Sequence, residues 1–126
     1  DVEPYFTCDS DEKINVIDYS SNYATLDYPL GLRADYKIDS DGVTVTVSGE
    51  GRILHLLPAF SFDGEKETKI TLQDKTLEIE YEGHVCRFTT DGIIRDLGKT
   101  AYNRNGYYRL FYADNQDSLT IKIELL

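Results

Sequence analysis

A chain of 126 residues has the length of one domain and buries enough surface for a core without staples. With 40% hydrophobic and 29% charged residues it is globular rather than disordered, and a net charge of −10 argues against nucleic acid and anionic membrane surfaces, both of which would repel it. No run approaches the 18 apolar residues of a membrane span, and no basic-then-apolar leader is present; the chain begins at Asp1 and has no methionine, so the expectation is a single domain, 1–126, excised from or C-terminal in a larger protein.

Residues 1–13 are polar and acidic, with an aromatic pair at Tyr5 and Phe6 and a loop-like run at Asp9, Asp11 and Glu12. Short strands are expected over 14–18 and 23–28. In 32–39, Leu32, Ala34, Tyr36 and Ile38 alternate with Arg33, Asp35, Lys37 and Asp39, the period of a half-buried strand. Asp39-Ser40-Asp41-Gly42 supplies turn chemistry. It also resembles the start of a calcium loop but lacks the later carboxylates, including the glutamate at position twelve.

The organising stretch is 42–58, GVTVTVSGEGRILHLLP. Val43, Val45 and Val47 face one way and Thr44, Thr46 and Ser48 the other. Gly49-Glu50-Gly51 predicts a tight reversal. The strand after it is apolar on both sides: Leu54 and Leu56 on one face, Ile53, His55 and Leu57 on the other. A strand apolar on both faces is buried on both, so a loop, a third layer or a neighbouring domain must cover the second face; the expectation taken forward is that Ile53, His55 and Leu57 contact a neighbouring domain.

Further strands follow at short spacing. Leu77, Ile79 and Tyr81 point inward against Glu78, Glu80 and Glu82, and 84–90 forms the partner strand. Cys86 is in phase with Phe88 and reads as a small buried hydrophobe; a disulfide to Cys8 is the alternative, and it requires an oxidising compartment. Residues 98–106, GKTAYNRNG, have no strand pattern and read as a loop. An aromatic strand at 107–113, a turn at 114–117 and a last strand through Leu119, Ile121, Ile123 and Leu125 complete the chain. Nine or ten strands with regular turns and no convincing helix predict an all-β fold, an antiparallel two-sheet β-sandwich of jelly-roll type.

Candidate chemistry concentrates at Tyr102, Asn103, Arg104, Asn105 and Tyr107. Aromatic faces stack on the C–H surfaces of sugars, and planar amide and guanidinium groups satisfy hydroxyls. The bland alternative is an ordinary turn with tyrosines serving the core. His55 and His84 fall inside strands with no metal-ligand spacing, the glutamate row is a solvated face, and no nucleophile elbow, phosphate loop or zinc motif occurs. Neither a catalytic constellation nor a cofactor motif is found.

The run GRILHLLP at 51–58, followed by strands at 76–82 and 84–90, resembles the β-sandwich region that follows the helical barrel in heparinase II/III-like lyases and related polysaccharide-degrading enzymes. No catalytic motif of that family is present, so no residue role is carried over. The resemblance implies a non-catalytic accessory module packed against a catalytic domain in a secreted or periplasmic glycan-degrading protein. The alternative is a carbohydrate-binding module that grips polysaccharide through the Tyr102–Tyr107 segment.

Overall fold

The structure is a computed structural model that describes residues 15–28 and 31–126. Among these are nine strands and no α-helix: β1 (Asn15–Tyr19), β2 (Tyr23–Tyr28), β3 (Leu32–Asp39), β4 (Gly42–Phe62), β5 (Lys69–Gln73), β6 (Thr76–Tyr81), β7 (His84–Thr90), β8 (Ile93–Asn103) and β9 (Gly106–Leu125). All pairings are antiparallel. They form one sheet in the order β1-β2-β3-β4-β9-β7-β6-β5, with β8 added to β9, and the sheet does not close. Hydrogen bonding thus yields a single nine-stranded sheet where the alternation pattern led to an expectation of two.

Two long strands make the difference. β4 has 21 residues and β9 has 20, and they pair along almost their whole length. The reversal expected at Gly49-Glu50-Gly51 does not occur. Ser48 pairs with Ser118 and Arg52 with Gln116, so residues 49–51 face Asp117 alone, and the surplus becomes a bulge that bends the ribbon. Asp117 fixes the bulge by accepting the Gly51 N–H at 2.8 Å. The turn expected at 114–117 is the partner side of the same bulge.

The bend divides the ribbon into halves with different neighbours. In the first half, β4 carries β3, β2 and β1 along one edge, and β9 carries β7, β6 and β5 along the other. In the second half, β9 carries β8 through Ile93 to Asn103. The loop expected at 98–106 is therefore mostly strand. Polar residues and glycine hid it, but β9 satisfies its backbone groups, and a bulge between Asp96 and Lys99 absorbs Gly98.

One core joins the halves. The first contributes Ala34, Val45, Val47, Leu77, Ile79, Phe88, Leu119 and Ile121; the second contributes Ile53, Leu57, Ala59, Ile94, Phe111 and Ala113. Phe111, Leu57, Leu77, Leu119 and Ile121 are fully buried. Polar seams hold the halves together at the edges. Asp74 O accepts the Ile94 N–H at 2.8 Å, and Lys75 Nζ donates to the carbonyls of Asp91 and Gly92 at 2.7 and 3.1 Å.

Ile53 and Leu57 need a specific correction. They are 5% and 2% exposed, inside this chain's own core, and have no surface to offer another domain. The strand is apolar on both sides for a different reason. Its Ile53 face packs on the first half of the ribbon, while Leu54 and Leu56 lie half-buried on the outer face. His55 is on the inner face with them. Its Nδ1 lies 2.9 Å from the Leu56 carbonyl and must carry the proton, since a carbonyl only accepts. Burial holds the imidazole below its ordinary pKa. The Cys8–Cys86 pairing and the acidic run at Asp9, Asp11 and Glu12 involve positions outside the described residues.

Candidate ligand platform at the β8–β9 hairpin

The tip of the second half is a tight hairpin. Asn103 pairs with Gly106 across the two-residue turn Arg104-Asn105, and Asn103 Oδ1 accepts the Asn105 N–H at 2.8 Å. Gly106 is required here. Its φ is +143°, and a Cβ would collide with the Phe62 carbonyl oxygen and lie 2.8 Å from Phe60 Cε1. That close approach brings the hairpin against the end of β4.

Directly paired residues of antiparallel strands share a face. Tyr102 of β8 pairs with Tyr107 of β9, and Tyr107 pairs with Phe62 of β4. The three rings form a cross-strand row, with centroids 5.9 Å apart between Tyr102 and Tyr107 and 5.6 Å between Tyr107 and Phe62, mutually tilted by 41° and 36°. These are ordinary aromatic-pair separations. Tyr102 is 80% exposed and Tyr107 47%, so the row offers ring surface to solvent at the point where the inner face runs past the core.

Phe62 is held by a locked turn. Asp63 Oδ1 accepts the N–H groups of Lys66 and Glu65 at 2.6 and 2.7 Å, and Oδ2 accepts from Tyr81 Oη at 2.7 Å. These bonds, led by the one from the Lys66 amide, pull the Asp63 carboxyl down to about 2. The same Asp63 bond raises the Tyr81 phenol to about 12. Tyr81 also packs edge-on to Phe60 at 5.4 Å. Ser61 Oγ donates to the Tyr107 carbonyl at 3.1 Å, which ties β4 to β9 beneath the row.

One step inward from Tyr107 on the same face is Arg109. Its guanidinium lies 5.0 Å from the Phe111 ring centroid, and Nη2 donates to Asp96 Oδ2 at 2.7 Å. Cation–π attraction and the carboxylate hold the fork in place. Arg109 and Phe62 line an open groove of about 490 Å³ together with Ser61, Glu67, Thr68 and Lys69. Aromatic row and polar groove are therefore continuous through Phe62.

Of the residues singled out from sequence, Tyr102 and Tyr107 stand side by side. Asn103 serves the turn with its amide oxygen, and Arg104 and Asn105 are exposed at the tip. Sequence reasoning missed Phe62 and Arg109. The signal for both was register: once 98–103 is strand, Tyr102 and Tyr107 must pair, and β4 must run on to present Phe62.

The outer face of the same three strands is apolar. Leu54, Leu56, Leu110 and Tyr112 are half-buried, Pro58 is exposed and Ile93 is 42% exposed. A shallow hollow of about 300 Å³ lies among Leu56, Pro58, Ala101, Tyr108 and Leu110, with Tyr102 and Asn103 of the hairpin at its border. Asp114, opposite Leu54 and Ile93 on the same face, sits between two guanidiniums. Arg52 donates Nε and Nη2 to it at 2.9 and 2.7 Å, and Arg95 donates Nε at 3.3 Å. Both arginines, Arg52 first, hold the Asp114 carboxyl below its usual range.

His84 is exposed at the start of β7, whereas His55 faces the core, so the two histidines do not form a pair. Glu78 is bound to Arg87 Nε at 2.6 Å on the exposed strand face. Among the described residues no group of three or more His, Cys, Asp or Glu side chains is arranged to hold a metal ion. No protein-family model, curated protein or solved structure matches this chain.

Proposed function

We propose that this domain is a non-catalytic carbohydrate-binding module that takes up glycan on the Phe62–Tyr107–Tyr102 row. The observation that carries the reading is the row itself: three rings on one face, two of them open to solvent, beside a groove of polar side chains. An exposed tyrosine pair costs a domain solubility and adds nothing to its core. Sugar rings present flat C–H faces to such a surface, and hydroxyls match the forked donors and amides at its border. Affinity electrophoresis in gels containing soluble polysaccharides tests it. Retardation by at least one glycan, abolished in a folded Tyr102→Ala/Tyr107→Ala variant, supports the reading; wild-type protein that migrates alike in every gel refutes it.

A second reading rests on the outer face. Leu54, Leu56, Pro58, Leu110 and Tyr112 form an apolar surface that no described residue of the core covers. In this reading the module packs through that face against a catalytic domain of a secreted or periplasmic glycan-degrading protein, with Arg52 and Arg95 at the rim to meet acidic groups. The groove and the outer hollow share no lining residue, although Tyr102 and Asn103 border the hollow, so one module can do both. The fold is read in the same spirit as a sandwich-like arrangement, with bent β4 and β9 serving two layers around one core. Replacing Leu56 and Leu110 with serine should raise solubility without lowering glycan binding; a loss of glycan binding would count against the division of labour.

A further inference from the structure

Every asparagine but one in this chain precedes a residue with a bulky side chain. Asn15, Asn22, Asn103 and Asn115 are followed by Val16, Tyr23, Arg104 and Gln116, whereas Asn105 is followed by Gly106. Glycine is required at 106, because any side chain there would run into the Phe62 carbonyl oxygen. The close approach that builds the platform therefore fixes the glycine half of an Asn-Gly step. Asn105 itself is exposed in the two-residue turn. Its backbone N–H is tied to Asn103 Oδ1 at 2.8 Å, but its side-chain amide makes no hydrogen bond among the described residues. Gly106 pairs with Asn103 at the last rung of the β8–β9 ladder, where local opening costs least.

We propose that Asn105 is a site of spontaneous deamidation, a slow covalent change built into the hairpin tip. When the last rung opens, the Gly106 amide nitrogen loses its proton to solvent base and attacks the Asn105 side-chain carbonyl carbon, Cγ. The new C–N bond closes a five-membered succinimide ring. The bond from Cγ to the side-chain nitrogen breaks, and ammonia leaves with a proton returned by solvent. Water then adds to either ring carbonyl: opening on one side leaves aspartate, and opening on the other leaves isoaspartate, whose main chain runs through Cγ. No oxidant or second protein enters the balance. A Cβ on the following residue crowds the approach of its nitrogen to Cγ; Gly106 has none, and the residues after the other four asparagines all have one. Either product adds one negative charge, beside Arg104, to a chain whose net charge is −10. Isoaspartate also lengthens the main chain by one carbon within a two-residue turn, which displaces the Asn103–Gly106 pair and the Tyr102–Tyr107 pair next to it. The tyrosine platform thus carries its own ageing step, and the reaction proceeds whatever the platform binds.

The test follows the purified full chain in mildly alkaline buffer at physiological temperature, beside a synthetic peptide of residues 101–108 and the variants Asn105→Gln and Asn105→Asp. Ion exchange should resolve a more acidic species that grows with first-order kinetics. Peptide mapping with fragmentation should place both aspartate and isoaspartate at position 105, formed at least about tenfold faster than at any other asparagine. The rate should rise with pH, because the attacking nitrogen must lose its proton. It should lag behind the rate in the free peptide, because the folded hairpin must open first. Asn105→Gln should abolish the species, since its longer side chain would have to close a six-membered ring, and Asn105→Asp should co-elute with the aspartate form. No acidic species by the time the peptide has fully converted overturns the proposal. Conversion at another asparagine overturns it as well, and so does aspartate without isoaspartate, since ring opening must give both. In the separated isoaspartate fraction the amide signals of Tyr102 and Tyr107 should be displaced; signals identical to those of the fresh protein would overturn the link to the platform.

Discussion

Gly106→Ala separates backbone strain from steric collision at the platform. At φ +143° an L side chain adds strain of about 1–3 kcal/mol. The added Cβ also meets the Phe62 carbonyl oxygen, a backbone atom that cannot rotate away, and the Phe60 ring edge at 2.8 Å. Overpacking of this kind costs a further ~1–3 kcal/mol. The combined loss of roughly 2–6 kcal/mol corresponds to a fall in Tm of about 8–24 °C for a domain this size. Gly64→Ala is the control. Its φ is +104°, but a Cβ there meets nothing within 4 Å, so only the strain applies and Tm should fall by about 4–12 °C, less than at Gly106 by the collision's share. Calorimetry on the two variants gives the comparison, and tyrosine fluorescence tests whether Tyr102 and Tyr107 have parted from Phe62. Equal Tm losses at the two positions would refute the claim that the hairpin is pressed against the end of β4.

Phe111→Ala, at a side chain with no exposure, should cost about 3–5 kcal/mol by urea denaturation and also unseat Arg109; a loss below about 1 kcal/mol would contradict the core assignment. The Asp63 carboxyl lies at about 2 in the folded state, below its unfolded value of 3.8. Its contribution is therefore complete above pH 4 and lost as pH falls through 2, and Asp63→Asn should flatten the Tm profile in that window. His55 is also depressed in the folded state, in this case by burial, so the unfolded chain binds its proton first. Stability that is complete above the ordinary histidine value of 6.5 should decline as pH drops from there towards the folded pKa, and an NMR titration of the His55 ring should place its midpoint below 6.5.

How far the fold was legible depended on whether a strand's own pattern or its partner determined it. β3 and β6 declared themselves by alternation, and Ala34, Leu77 and Ile79 are buried as that alternation required. The valines of β4 read correctly, but Gly49-Glu50-Gly51 reads the same whether it turns the chain or bulges it. The decision lies with β9, which continues past Asp117 and supplies the opposite edge. β8 shows the same dependence: GKTAYN has no apolar period because both its faces are near solvent, and only pairing with β9 makes it a strand. The two-faced stretch from Arg52 onward reads as buried on both faces, whereas Leu54 and Leu56 on the outer face are only half-buried. Ile53 and Leu57 find their cover within the chain, through a bend that no local pattern announces.

The candidate site followed the same rule. Tyr102 and Tyr107 were conspicuous because they are near in sequence and flank a turn. Phe62 and Arg109 belong to the same surface through register and close approach, which composition does not reveal.

The most direct measurement is a two-dimensional amide NMR titration of the isotope-labelled protein with soluble oligosaccharides. The account predicts shifts confined to Ser61, Phe62, Lys69 and the stretch 101–109, saturating together, with the outer-face residues Leu54, Leu56, Leu110 and Tyr112 little changed. Shifts centred on that outer face, or a spectrum untouched by any glycan, would contradict it.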